Sequence, residues 1–184
     1  MATLKNFNTA LYIMRLNTAS RPQYDGLLKI GVSNNVERRA KEVGSVKIEF
    51  QDNYRAPRAL VMATEMLAHA YAYRKVGRPK NYRQALPVRS GSSEFFNTDK
   101  IRQARGFVGS AKRMVNTLAD REGYDPEIFD ADESTILQSN LNDLIKTIIA
   151  YVKSLFNKIK KRLPQSFKTE ITRIYQTLEQ EKAA

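Results

Sequence analysis

The chain of 184 residues lacks cysteine altogether and has a single histidine, His69. The absence of cysteine excludes disulfides, thiolate zinc sites, iron–sulfur clusters and thiol nucleophiles. A single histidine excludes any metal centre that is built from several histidines. No apolar run approaches the roughly 18 residues that a membrane-spanning helix needs, and residues 1–10 are too polar for a secretory signal. We therefore expect a soluble cytoplasmic protein that does not contact a membrane.

Acidic residues are also scarce, because 31 Lys and Arg face only 19 Asp and Glu. The net charge of +12 and the isoelectric point near 9.9 indicate a polyanionic partner. Hydrophobic residues make up 42% of the chain, which is enough to build a core and argues against general disorder.

The patterns of apolar residues divide the chain into a mixed segment and a helical one. Up to residue 99 they predict strand, strand, helix, strand, helix and strand over residues 11–16, 27–32, 35–43, 46–50, 58–75 and 94–97. Ser33 or Asn34 is expected to cap the first helix. This order predicts a small α+β sandwich, an antiparallel sheet flanked by helices. We assign residues 1–106 to this domain, 107–133 to a linker and 134–184 to a C-terminal helical hairpin.

The C-terminal segment repeats apolar residues every three or four positions, over residues 137–159 and again over 167–178. Each predicted helix therefore has an apolar face to bury. The partner of these faces is the other helix, the N-terminal domain or a second copy of the chain. Because two helices alone offer only a small core, we expect a homodimer through residues 134–180.

Glu65 lies within a predicted helix that is apolar on almost every side. A buried carboxylate without a partner is costly, so Glu65 needs a cation. An arginine, His69 one helical turn later, or a metal ion meets this need. A purely structural pair with His69 or an arginine is the alternative to a functional site.

Lys29 poses a similar question on the second predicted strand. The alternation of side chains places Lys29 on the same face as Gly31, which leaves open space beside the lysine. Lys29 is then either an edge charge that prevents aggregation or a group that faces phosphate or transfers a proton.

Arg38 and Arg39 differ by their phase on the first predicted helix. Arg39 lies three residues after Val36 and four before Val43, so it borders the face that must pack inward. Arg38 lies about 200° from Val36 and points to solvent.

A run of basic residues without an acidic one begins at the end of the second predicted helix. It comprises Arg74, Lys75, Arg78, Lys80, Arg83 and Arg89, with Tyr82 interleaved. Basic side chains with an aromatic ring suit phosphate contacts and base stacking, so we expect a DNA-binding patch that the solvent-facing Arg38 joins. An ordinary solvated surface is the alternative.

Five motifs in residues 10–99 resemble, in order, those of the GIY-YIG nuclease domain. Ala10-Leu11-Tyr12 resembles its Gly-Ile-Tyr signature. Lys29-Ile30-Gly31 is similar to the second signature in the form that a phage and bacterial branch carries, a branch often described as DNA-binding. Residues 35–39 resemble the family's arginine helix, Glu65 with His69 its Glu-x-x-x-His helix, and residues 93–96 its closing Gly-Glu-Trp-Phe motif.

The resemblance implies a DNA endonuclease that hydrolyses phosphodiester bonds at a single-metal site. It implies that Glu65 holds Mg²⁺ (or Mn²⁺), and that Tyr12 orients or deprotonates the attacking water. Arg39 would stabilise the negative charge of the transition state. The implied setting is a bacterial or phage-infected cell, in association with the nucleoid.

The resemblance also implies a role for Lys29, which stands where the name-giving tyrosine of the family stands. Lys29 is a general base if its pKa is lowered, and otherwise a phosphate-binding charge. His69 and Asn97 complete the expected catalytic set. Two other functions stay open: a DNA-binding module that keeps the fold without turnover, and a structural or inhibitory protein that acts through its tail.

Overall fold

The computed structural model describes residues 9–16, 22–43, 46–77, 94–124, 128–129 and 141–183. Its sheet has four antiparallel strands, β1 (Thr9–Leu16), β2 (Leu28–Ser33), β3 (Val46–Tyr54) and β4 (Phe95–Phe96), in the order β3-β1-β2-β4. A short 3-10 helix, Pro22–Tyr24, lies between β1 and β2. The predicted α+β class, with an antiparallel sheet flanked by helices, is confirmed.

Five α-helices accompany the sheet in the described part of the chain: α1 (Val36–Val43), α2 (Arg58–Lys75), α3 (Ile101–Arg121), α4 (Leu141–Lys158) and α5 (Gln165–Lys182). The helix α1 packs on one face of the sheet, and the other four helices share the core on the opposite face. None of these helices is both long enough and apolar enough to cross a membrane.

The two faces of the sheet belong to different cores. Leu11 and Ile13 of β1 join the large core that extends to α5, whereas Tyr12 and Met14 join a smaller core with α1. Successive strand residues point to opposite faces, so this division follows from the alternation along β1. The tyrosine that the first motif contributes therefore lies between the sheet and α1.

The central helix α2 is buried along most of its length. Its Ala, Leu and Met content favours a helix, and Pro57 precedes it without supplying a side-chain cap. The cap comes from the C-terminal helix instead, because the Glu181 carboxylate accepts hydrogen bonds from the N–H groups of Arg58 and Ala59 at 2.5 and 3.1 Å. A carboxylate at this position satisfies two unpaired donors and complements the helix dipole.

The helix α5 runs antiparallel to α2 in a single register. Beyond the cap at the start of α2, the Thr177 hydroxyl lies 3.5 Å from the Met62 sulfur, and a Glu170 carboxylate oxygen lies 3.5 Å from Nδ1 of His69. Each step back along α5 is matched by an equal step forward along α2. The register that caps α2 therefore also places Glu170 beside His69.

The apolar faces of the C-terminal helices are buried within the single chain. Their buried positions are Leu144, Ile148, Val152 and Leu155 of α4 and Phe167, Ile174 and Leu178 of α5. Both helices pack more extensively on α2 than on each other, and one core connects them with the sheet. Residue 137 lies outside the described residues. The homodimer and the boundaries at residues 106 and 133 stay predictions, although the faces that suggested a dimer are already covered by α2.

Some predicted boundaries and one predicted cap are wrong. The strand β3 continues to Tyr54, because it pairs with β1 as an edge strand whose polar residues can face solvent. The closing strand is limited to the two residues that pair with β2. The cap of α1 is Asn35 rather than Ser33 or Asn34, since its side-chain oxygen accepts a hydrogen bond from the Arg38 N–H at 2.8 Å.

Candidate active site

Tyr12 lies in the middle of β1, directly opposite Gly31 of β2. The tyrosine is fully buried, and its ring covers the backbone of Gly31. A Cβ at position 31 would lie 2.8 Å from Tyr12 Cε2, and closer still to Cζ and the hydroxyl oxygen. Only glycine leaves room for the tyrosine ring over β2. The open space expected beside Lys29 is therefore taken by Tyr12.

The helix α1 orients its two adjacent arginines as their phase predicts. The side chain of Arg38 is 66% exposed and pairs with Glu42 at 3.5 Å, whereas that of Arg39 is 21% exposed. Arg39 also donates a hydrogen bond to Glu42, at 3.2 Å, and lies beside Tyr12. Burial by itself lowers the pKa of Arg39, but Tyr12 and Glu42 outweigh burial and raise it. Arg39 is therefore a fixed positive charge next to the tyrosine.

Burial has the largest effect on the Tyr12 hydroxyl, and it raises the pKa of Tyr12 well above its usual value. The Glu65 carboxylate adds to this change, while Arg39 opposes it. The hydroxyl is therefore protonated in the folded protein.

Lys29 is fully buried on the same face of the sheet as Tyr12. Its ammonium group lies 5.7 Å from the ring centroids of both Tyr12 and Phe95, and it contacts the Glu94 carboxylate directly. Burial, together with the positive charge of Arg39, lowers the pKa of Lys29 to about 7. The negative charges of Glu65 and Glu170 oppose this change by favouring the charged form. Lys29 is thus an interior group that bonds to protein, and it does not point to solvent.

Glu65 and His69 lie one turn apart on α2 and are both buried. The nearest approach between them is 3.8 Å, from His69 Nε2 to a carboxylate oxygen of Glu65. The better partner of Nε2 is the backbone carbonyl of Ile30 on β2, at 2.9 Å. Because a carbonyl can only accept, Nε2 carries a proton and donates it to Ile30. The expected Glu65–His69 pair is thus a loose contact, and the β2 backbone orients the imidazole ring.

Glu170 of α5 joins this pair, and the analysis of the sequence did not single it out. Its carboxylate lies 3.5 Å from Nδ1 of His69, and one ligand atom each from Glu65, His69 and Glu170 lie within 4.8 Å of one another. A signal for Glu170 does exist in the sequence. It lies three residues after Phe167 and four before Ile174, at the border of the apolar face of its helix, as Arg39 does on α1.

The surroundings of the Glu65 carboxylate disfavour its ionised form. Burial raises the pKa of Glu65 to about 7. His69 lowers it, Glu170 raises it as a second negative charge, and Lys29 and Arg58 lower it. Two neighbouring carboxylates in a buried setting suit a bound divalent cation, which is attracted by both charges and coordinates their oxygens. The residues around Glu65 therefore fit the metal that the resemblance implies.

The remaining predicted residues lie away from this cluster or outside the described residues. Asn97 follows β4 with an exposed side chain, and its N–H donates to the Gly77 carbonyl at 3.1 Å. Arg74 and Lys75 are exposed at the C-terminal end of α2. Predicted DNA contacts outside the described residues are Arg78, Lys80, Tyr82, Arg83 and Arg89.

Comparison with known proteins identifies a family model that matches the chain. Residues 10–118 match the family model of the T5orf172 domain, a span that begins in β1, ends in α3 and contains Tyr12, Arg39 and Glu65. No curated protein and no solved structure matches the chain. The family match covers more than half of the 184 residues. The chain therefore belongs to the T5orf172 domain family, which is associated with GIY-YIG- and HNH-like nuclease-type domains.

Proposed function

We propose that the protein is a divalent-metal-dependent DNA endonuclease of the GIY-YIG type. The observation that carries this proposal is that the buried Tyr12 hydroxyl of β1 interacts electrostatically with both Arg39 of α1 and Glu65 of α2. A buried carboxylate and a buried aromatic hydroxyl are costly to fold around. Metal-assisted phosphodiester hydrolysis can use a metal-binding carboxylate, a cation that stabilises the transition state and a hydroxyl that orients water.

Each group has a separate task in this proposal. Glu65 holds the cation that, when bound, polarises the scissile phosphate. The Tyr12 hydroxyl orients the attacking water as a hydrogen-bond partner. Its raised pKa keeps it protonated, and a protonated hydroxyl does not take up the proton of the water. Arg39 binds the phosphate oxygens and stabilises the extra negative charge that develops on them.

Lys29 is the strongest candidate for the general base. A pKa of about 7 suits proton transfer near neutral pH. Once Lys29 has taken up a proton, the Glu94 carboxylate in direct contact with it balances the positive charge.

The direct test is the incubation of the purified full chain with supercoiled plasmid and Mg²⁺ or Mn²⁺. We expect nicked or linear DNA in the presence of either metal and none after chelation with EDTA. Plasmid that stays supercoiled at high protein concentration, with DNA binding intact, would contradict the endonuclease.

Arg39→Ala should reduce the rate of plasmid cleavage by at least ~10²-fold, the usual effect of removing one donor to a developing oxyanion. Arg38→Ala is the matched control, since it removes the same group from the adjacent, exposed position, and we expect a change of less than about 2-fold. Both rates are measured under single-turnover conditions. An equal loss in the two variants would mean that general attraction to DNA, and not Arg39 at the site, accounts for the effect.

A basic surface at the C-terminal end of α2 supports DNA as the substrate. Arg74 and Lys75 are exposed there, and the turn between α4 and α5 adds exposed basic residues from the other end of the chain, Lys158, Lys160, Lys161 and Arg162. The Lys161 ammonium lies 5.9 Å from the ring centroid of Tyr73 on α2. The fold thus brings together two basic segments that are far apart in sequence. The basic surface begins about 7 Å beyond His69 along the axis of α2.

Lys161→Glu should weaken DNA binding and reduce the slope of log K against log salt by about one unit, because one phosphate contact is lost. Lys146→Glu makes the same charge change at an exposed position near the other end of α4. It should leave the slope nearly unchanged. Affinity measured by fluorescence anisotropy between low and moderate salt checks both. Equal slopes for the two variants would exclude this turn from the DNA interface.

A second candidate function is a DNA-binding module of the same family without turnover. The observation that favours it is the complete burial of Tyr12 and Lys29, with Lys29 in contact with Glu94. In that case the polar groups stabilise the fold, and the basic surface alone contacts DNA. Tight, metal-independent DNA binding without plasmid cleavage is the result that this alternative expects.

A further inference from the structure

We infer that the C-terminal helix α5 completes the cation site, with Glu170 and His69 as ligands beside Glu65, and that this site prefers Mn²⁺ to Mg²⁺. This inference rests on the proposed function, since it concerns the metal of the same site. The family match ends at residue 118, so α5 and Glu170 lie beyond the part of the chain that the family accounts for.

The orientation of His69 is the first argument. Nε2 donates its proton to the Ile30 carbonyl at 2.9 Å, so in the neutral form of the ring the lone pair lies on Nδ1. Nδ1 faces a carboxylate oxygen of Glu170 at 3.5 Å. A ring nitrogen and a carboxylate oxygen at this distance can share one positive species, either a proton or a metal ion. A histidine that donates one ring N–H to a backbone carbonyl and turns the other nitrogen to a carboxylate is arranged as metal-bound histidines are.

The charge around the cluster is the second argument. Glu65 and Glu170 bring two carboxylates to one partly buried place. The charges of Lys29 and Arg58 favour the ionised form of Glu65, and Lys29 is also in direct contact with Glu94. A divalent cation between Glu65 and Glu170 would attract both negative charges and coordinate an oxygen of each carboxylate.

The donor set decides which cation is expected. The three ligand atoms lie within 4.8 Å of one another, and opposite ligands of an ion with bonds of about 2.1 Å lie about 4.2 Å apart. Small rotations of the carboxylates close this difference. Mg²⁺ prefers oxygen ligands alone, whereas Mn²⁺ also accepts an imidazole nitrogen.

The packing of α5 keeps Glu170 in place. The Glu181 carboxylate accepts hydrogen bonds from the first N–H groups of α2. Between Glu181 and Glu170 on α5, the Thr177 hydroxyl contacts the Met62 sulfur of α2. The buried residues Phe167 and Ile174 flank Glu170 on the same helix. A ligand that is supported on both sides by packed side chains binds a metal with little loss of entropy.

The test is a titration of the full chain with Mn²⁺ in the absence of DNA. Binding is measured as the loss of the electron paramagnetic resonance signal of free Mn²⁺. We expect the unmodified protein to bind a single Mn²⁺ and Mg²⁺ to compete at least ~10-fold more weakly. Glu170→Gln should weaken Mn²⁺ binding at least ~10-fold. Glu179→Gln is the matched control, because Glu179 is exposed on the same helix and pairs only with Lys182 among the described residues, and it should bind Mn²⁺ as the unmodified protein does.

The outcomes separate this inference from the proposed function. If Glu65→Gln loses Mn²⁺ binding and Glu170→Gln does not, the role of α5 is overturned and the endonuclease stands. If the unmodified protein binds no Mn²⁺ but still nicks plasmid with Mg²⁺, the inference fails alone. If it neither binds a metal nor nicks plasmid, both fail. Should Glu170→Gln fold poorly in thermal melts, Glu170→Asp keeps the charge but withdraws it, and the same loss of affinity is expected.

Discussion

Replacement of Glu65 by glutamine should abolish metal-dependent cleavage while the fold and the DNA affinity are retained. Glutamine keeps the shape of the side chain but removes the charge that attracts a divalent cation. Changes in groups that only orient metal ligands cost up to about 10²-fold, so the loss of a ligand should cost at least ~10²-fold in cleavage rate. The basic end of α2 is unchanged, and DNA affinity at fixed salt should therefore stay within about 2-fold. Plasmid cleavage and fluorescence anisotropy measure the two quantities.

The thermal stability of Glu65→Gln distinguishes a functional carboxylate from a structural one. Burial raises the pKa of Glu65 to about 7, which means that the ionised form is disfavoured where it lies. A neutral amide of the same shape avoids this cost, so the melting temperature should be unchanged or higher. A clear fall in melting temperature, or cleavage at the rate of the unmodified protein, would contradict the assignment of Glu65 as the metal ligand.

The fold could be predicted where local chemistry and tertiary packing agree. The bounds of α2 follow from Pro57 and a run of strong helix formers, and the structure has the same bounds, Arg58–Lys75. The strand β3 was harder, because Gln51, Asp52 and Asn53 have low strand propensity. They extend the strand only because β1 offers its backbone groups as partners along an edge.

The candidate site could be predicted only in part. The phase of α1 separates Arg39 from Arg38 by geometry within a single helix, and that separation holds in the structure. The contribution of α5 depends on which surface its apolar face covers. Periodicity shows that Phe167 and Ile174 must be buried, but it does not identify α2 as the partner or Glu170 as the neighbour of His69. Contacts across about 100 residues have no local signal in one sequence.

The partners of Lys29 show the same limit. The alternation along β2 correctly places Lys29 and Gly31 on one face, the face of the smaller core. It does not reveal that Tyr12 covers Gly31 or that Glu94 contacts the lysine. Those relations arise from the register between β1 and β2 and from the position of the residue before β4, which only the folded chain defines.

Gly31→Ala should destabilise the protein and displace Tyr12 from its position over β2. The added Cβ would lie 2.8 Å from Cε2 of the ring and closer to Cζ and the hydroxyl, all in a fully buried side chain. Overpacking a core in this way costs about 1–3 kcal/mol of unfolding free energy. The displaced hydroxyl can no longer orient the attacking water, and a misplacement of about 1 Å should cost about 10²-fold in cleavage rate. Urea unfolding and single-turnover plasmid cleavage measure these effects.

Gly106→Ala provides the control with the opposite sign. Gly106 is exposed within α3, and a Cβ there meets nothing within 4 Å, so alanine should stabilise the helix by up to about 1 kcal/mol.

A double-mutant cycle of Tyr12 and Gly31 then isolates the contact between the paired strands. In a Tyr12→Ala background the ring is gone, and Gly31→Ala should cost less than about 0.5 kcal/mol, which gives a coupling of about 1–3 kcal/mol. Additive costs of Tyr12→Ala and Gly31→Ala would show that the strain at position 31 does not come from the tyrosine ring.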